Sequence, residues 1–102
     1  MTKTITGKQR RWLMARVHHL KSVVTVGQAG LTEAVLREID AALTAHELIK
    51  VRLNAGDRAE RDGMIGTIAS HSSGTLISRI GNVAAFFRAN PKKKSPMELP
   101  GS

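Results

Sequence analysis

The sequence predicts a single α/β domain in which helices and strands alternate as α-β-α-β-α-β-β, with three helices packed on a four-stranded mixed sheet. Three observations lead there. Apolar positions switch along the chain between helical spacing and strand-like alternation. Two of the helical segments open on a Thr or Asp with a Gln or Glu three residues later, a pattern that closes free backbone N–H groups. A Gly81-Asn82 pair separates the last two apolar runs, as a tight hairpin requires. With 102 residues, 41% of them hydrophobic, the chain can bury a core without a disulfide or a metal.

The first helix starts at Thr6-Gly7-Lys8-Gln9, a capping box. Leu13, Val17 and Leu20 form its apolar face, Lys8 and Arg11 lie roughly opposite, and Trp12 and Arg16 flank it. Val23-Val24-Thr25-Val26 is wholly β-branched and too short for a helix, so it reads as a buried strand. A second helix begins near Thr32, with Glu33 favourably placed at the positive end of the helix dipole and Val35, Ile39, Ala42 and Leu43 as the buried stripe. Leu48–Leu53 alternates, with Ile49, Val51 and Leu53 on one side and Lys50 and Arg52 on the other. The expected sheet therefore has one covered face and one face carrying cations in water. Asp57-Arg58-Ala59-Glu60 caps a third helix bearing Met64, Ile65, Ile68 and Ala69. Thr75–Ile80 and Val83–Arg88 form the hairpin, in a register that sets Ile80 against Val83 and Ile77 against Phe86. The strand–helix alternation calls for right-handed crossovers. Residues 1–89 make the domain, and the polar, proline-bearing stretch 90–102, with Lys92-Lys93-Lys94, reads as a flexible basic tail.

Composition excludes several functions. With no Cys there is no disulfide framework, thiolate chemistry or cysteine-ligated metal. His18, His19, His46 and His71 lack metal-ligand spacing, and neither a P-loop nor a nucleophile elbow is present. The sequence thus points away from an enzyme and calls for no cofactor or metal. No apolar run is long enough for a membrane span, and the first residues lack the apolar stretch of a signal peptide, so a cytoplasmic protein is expected.

The charge points to a polyanion. Sixteen Lys and Arg stand against eight Asp and Glu, for a net charge of +8. Residues 1–30 hold six basic groups and no acid, residues 31–62 hold five basic and seven acidic groups, and residues 63–102 hold five basic and one acidic. Such asymmetry marks a preferred face. Within the basic opening stretch, Gly27-Gln28-Ala29-Gly30 sits between a strand and a helix N-terminus. Glycines admit positive φ and close approach of a ligand to the backbone, and a helix start offers free N–H groups and partial positive charge, which together suit a phosphate. A Gly-x-x-Gly loop clamps a nucleic-acid backbone in KH modules.

The ordered set Gln9, Leu13, His18-His19-Leu20-Lys21, Val23-Val24, Gly27-x-x-Gly30-Leu31-Thr32, Val35-Leu36-x-Glu38-Ile39, His46-Glu47-Leu48-Ile49-Lys50-Val51 and Ile80–Arg88 resembles the chloroplast RNA splicing and ribosome maturation (CRM) domain, in its stand-alone bacterial YhbY-like form, over about residues 5–88. The resemblance implies a fold similar to the C-terminal domain of translation initiation factor three, a Gly-x-x-Gly RNA-contact loop, and association with large-subunit ribosome precursors. The chain departs from the family's habit at Ser22, where Pro is usual, at Asn82, where Lys is usual, and at Phe87, where Tyr is usual. Gln28 and Ala29 also stand where basic or polar residues are frequent.

The expectation is therefore a monomeric, non-enzymatic protein of ribosome biogenesis that binds ribosomal RNA or pre-ribosomal particles. Backbone N–H groups of Gly27, Gln28, Ala29 and Gly30 hold phosphate, Lys8, Arg11, Arg16 and Lys21 supply the field around them, and Lys50, Arg52 and Arg88 are second-rank contacts. With three aromatics in the chain, base stacking is expected to be minor and recognition to follow RNA shape. The competing reading is a protein-interaction module docking on ribosomal or other charged proteins, using acids such as Glu33, Glu38 and Asp40.

Overall fold

The computed structural model describes residues 5–93 and 97–101. Residues 1–4, and 94–96 and 102 of the expected tail, lie outside that range. Seven elements follow one another: α1 (Gly7–Val17), β1 (Ser22–Val26), α2 (Glu33–His46), β2 (Leu48–Leu53), α3 (Arg58–Ser72), β3 (Thr75–Ile80) and β4 (Val83–Phe87). The sheet order is β1-β2-β4-β3, with β1 parallel to β2 and the other two pairings antiparallel. This is the α/β, four-stranded mixed architecture that the sequence predicts.

The helix starts lie where their caps put them. Thr6 and Gln9 exchange side-chain and backbone hydrogen bonds at 3.1 Å each, and Asp57 and Glu60 do the same at the head of α3. Thr32 caps α2 by accepting the Val35 N–H. Each cap satisfies a donor that the helix itself leaves orphaned, a gain of roughly 1 kcal/mol apiece.

The core divides into two clusters, one on each face of the sheet. Ile39 and Leu43 of α2 and Ile65 and Ile68 of α3 meet Val24, Val26, Ile49, Val51, Leu53, Ala84 and Phe86. On the other face Leu13 and Val17 of α1 meet Leu48, Ile77, Ala85 and Phe87. Two expectations are corrected here. The cation-bearing face of β2 is not open along its whole length, because α1 roofs the end where β2 begins, and the Lys50 ammonium donates to the Leu20 carbonyl at 3.1 Å. Nor does Ile77 oppose Phe86. The register shifts between Leu76 and Ser78, so Leu76 pairs with Phe86 while Ile80 still pairs with Val83. The extra residue sends Ile77 to the α1 side and Leu76 to the α2–α3 side, feeding both clusters from consecutive positions.

The stretch read as a tail also has partners. Glu47 ends α2 at φ 65°, and its side chain is 1% exposed. Its carboxylate accepts the Asn90 N–H at 2.9 Å and the Met97 N–H at 2.7 Å, and the Lys93 ammonium stands 3.7 Å away. Gln9 Nε2 donates to the Pro100 carbonyl, and Met97 and Leu99 pack against the α1-side cluster. Asn90, Lys93, Met97, Leu99 and Pro100 therefore touch the domain, while Pro91, Lys92, Glu98 and Gly101 stay exposed. The physical reason is that a buried carboxylate must find donors, and this segment supplies them.

Candidate functional site

Gly27–Gly30 closes on itself. The Gly30 N–H donates to the Gly27 carbonyl at 2.9 Å, and the Thr32 N–H to the Gly30 carbonyl at 3.0 Å. Gly30 has φ +75°, a conformation that favours glycine, whereas Gly27 has ordinary φ. A Cβ at Gly27 would meet nothing within 4 Å, so the fold does not itself demand glycine there. Gly27, Gln28 and Ala29 are exposed. The N–H groups of Gln28 and Ala29 have no acceptor among the described residues, and the first-turn amides of α2 follow directly. The bend is open, with donors and the positive end of a helix facing solvent.

Two other turns brace it. The Asn54 N–H donates to the Val26 carbonyl at 2.8 Å, and Gln28 Nε2 reaches the Asn54 carbonyl at 3.5 Å. Asn82 Nδ2 donates to Asn54 Oδ1 at 2.8 Å, and the Leu53 N–H to the Asn82 carbonyl at 2.7 Å. The β1–α2, β2–α3 and β3–β4 turns thus share one end of the sheet. Asn82 acts there as a brace between turns. Asn54 carries no signal in the sequence beyond belonging to a turn, because its partners Val26, Gln28 and Asn82 lie 26 to 28 residues away.

The predicted cations do not ring this bend. Lys21 immediately precedes β1 and the loop immediately follows it, so about 16 Å of strand separates them. Lys8, Arg11 and Arg16 are exposed on α1, which roofs the end of the sheet where β2 begins, the end away from the loop. Arg16 lies over the Trp12 ring, 3.9 Å from its centroid. The cations instead form a line. Arg52 pairs in register with Thr25 of β1 and Val83 of β4, on the α1 side but beyond the helix. Lys50 comes next on the same face of β2, and Lys21 and Arg16 line one hollow at the far end of β1.

Arg88 stands apart from that line. Its guanidinium binds the Asp40 carboxylate and carbonyl, the Ser72 carbonyl and Thr44 Oγ1, tying α2 and α3 to the end of β4. It is a structural cation with no donor fork to spare. Ion pairs lie on the other side: Glu33 and Asp40 of α2 pair with Arg37 and Arg88, and Asp62 of α3 pairs with Arg79. The α1 side thus presents cations, and the α2–α3 side holds paired charges.

Among the described residues, two hollows lie on the α1 side. One of about 190 Å³ is lined by His18, Lys50, Ser78, Ile80 and Val83 among others, between α1 and the uncovered strands. A larger one of about 440 Å³ brings His19 and His46, from α1's end and α2's end, together with Arg16 and Lys21. Among the described residues no group of acids, His or Cys is placed to hold a metal, and no helix is long and apolar enough to cross a membrane.

Against known proteins, the model of the CRS1/YhbY (CRM) domain matches residues 5–88. The chain is 40% identical over 88 residues to a Pseudomonas aeruginosa protein named as a probable RNA-binding protein, covering 86% of this chain and 85% of the other. It is 37% identical over 97 residues to an RNA-binding protein of Haemophilus influenzae, covering 95% and 96% respectively. Its fold matches the solution structure of a Staphylococcus aureus hypothetical protein described as a candidate RNA binder, with a TM-score of 0.78 and 28% identity over 95% of this chain and 100% of that one.

Proposed function

The chain belongs to the CRM domain family, and from that premise we propose that it is a non-enzymatic RNA-binding protein. It engages ribosomal RNA or a large-subunit precursor along the α1 side of its sheet. Backbone amides of Gln28 and Ala29 and the start of α2 take one phosphate, while the Gly30 N–H, expected to share in it, instead closes the bend on the Gly27 carbonyl. Arg52, Lys50, Lys21 and Arg16 track the backbone toward α1, and Lys8 and Arg11 extend the positive surface. The observation that carries this reading is the open bend, with two free amides at the head of α2, standing at one end of a row of cations that have no acidic partner among the described residues. Electrostatic contact with phosphate supplies affinity without reading sequence, which suits a folded RNA target. The names of the Pseudomonas and Haemophilus relatives support the RNA partner. Docking through the acids of α2 keeps Glu33 and Glu38 exposed as contacts but loses Asp40, which is held by Arg88.

Crosslinking in cells, followed by sequencing of the attached RNA, tests the proposal. Recovery of ribosomal RNA, and loss of particle association on ribonuclease treatment, are the expected results. Association that survives ribonuclease would replace the RNA with a protein partner.

A further inference from the structure

We propose that the 440 Å³ cavity beside α1 is a seat for one unpaired RNA nucleotide, its base inside and its phosphate on the rim. This rests on the RNA-binding reading above and adds a base contact to it. The volume falls within the range of small-ligand sites, about 300–1,000 Å³. The floor is apolar, with Leu48 and Ile49 buried at the start of β2 and Met97 arriving from the C-terminal segment. The rim is cationic, with Arg16 and Lys21, and no carboxylate lines it among the described residues. The nearest acid in sequence, Glu47, turns its carboxylate to the Asn90 and Met97 amides. That bond fixes the Met97 wall and spares the cavity a repelling charge.

An apolar floor with a positive rim fits a ligand that is apolar at one end and anionic at the other. The Arg16 guanidinium narrows the choice further. The Trp12 ring lies 3.9 Å from its carbon on one side. A guanidinium plane backed by an aromatic ring presents its other side as a stacking surface, and splayed-out RNA bases stack on such planes. The scarcity of aromatics therefore does not exclude stacking, because an arginine supplies the platform and the chain's one Trp stiffens it.

The full chain is titrated with three RNA hairpins: one fully paired, one carrying a single bulged nucleotide, and one carrying the same bulge without its base. The readouts are the ratios of their affinities at one salt concentration and the fluorescence of Trp12. The bulged hairpin is expected to bind about tenfold more tightly than the other two and to change Trp12 emission, a factor in keeping with one stacked base. In Arg16→Lys, which keeps the charge and loses the plane, that ratio should fall toward one. Equal binding of bulged and base-less hairpins, or an undiminished ratio in Arg16→Lys, would overturn the nucleotide seat while leaving RNA binding in place. Failure of every hairpin to bind would overturn the RNA-binding reading itself.

Discussion

At the finish of β1 the candidate interface is built from backbone, and at its start it is built from side chains. The loop end offers amides of a Gly30-dependent turn, braced by Asn54 and Asn82, with neutral Gln28 and Ala29 on the bend and Glu33 in the first turn of α2. The α1 end offers Arg16 and Lys21 above an apolar cavity, walled by a segment pinned to buried Glu47. The two ends place different demands on sequence. A backbone cradle asks for one glycine with positive φ and tolerates Gln28 and Ala29 beside it. A side-chain cradle asks for particular charges in particular places. One strand of five residues therefore joins the two ends of the candidate interface.

The largest expected effect tests whether both ends act together. If six to ten phosphates are engaged along the whole line, RNA affinity should fall by roughly 10³–10⁵ between 50 and 200 mM salt. A shallow slope, measured by fluorescence anisotropy, would mean that one end alone makes contact.

Next comes the anchoring of the α1 end. Glu47→Ala removes an acceptor from two backbone amides and leaves a buried gap, at a cost of about 2–4 kcal/mol in chemical denaturation. It should also raise protease sensitivity at residues 90–93 and 97–101 ahead of the rest of the described residues. A loss below 0.5 kcal/mol would show that the segment does not depend on this carboxylate.

Gly30→Asp probes the loop end. A side chain at φ +75° is strained and its charge repels phosphate, so affinity should drop about 10- to 100-fold while the circular dichroism spectrum is retained. Gly27→Ala has room for its methyl and ordinary φ, so its thermal midpoint should stay near that of the parent. Unchanged affinity in Gly30→Asp would remove the loop from the interface.

The smallest effect separates a binding cation from a structural one. Lys21→Ala should lower the salt slope by about one and leave stability nearly unaltered. Arg88→Ala should leave the slope alone and lower stability, because its contacts are to Asp40, Thr44 and Ser72. The opposite pattern would exchange their roles.

Much of the fold was legible in the sequence because its signals are short-range. Thr6 with Gln9, and Asp57 with Glu60, act across three residues, and the alternation of Leu48–Leu53 needs no partner to be seen. The Gly27–Gly30 bend was legible for the same reason. The line of cations was only half legible. Lys50 and Arg52 were assigned to one face of β2, but the sequence could not say that α1 would roof the Leu48 end of that face. Arg88 looked like any other terminal cation, because Asp40 is 48 residues away. The C-terminal segment looked solvated because its acceptor, Glu47, lies 43 residues before Asn90 and 50 before Met97.

By itself, then, the sequence determined the elements, their caps, their buried stripes and the glycine bend, since each follows from backbone donors and side-chain periods within a few neighbouring residues. Tertiary structure alone decided which charges remain free, which turns gather at one end of the sheet, and what closes the cavity beside α1. Those depend on which distant groups meet as two apolar faces of a single sheet are covered, one by two helices and the other, incompletely, by one.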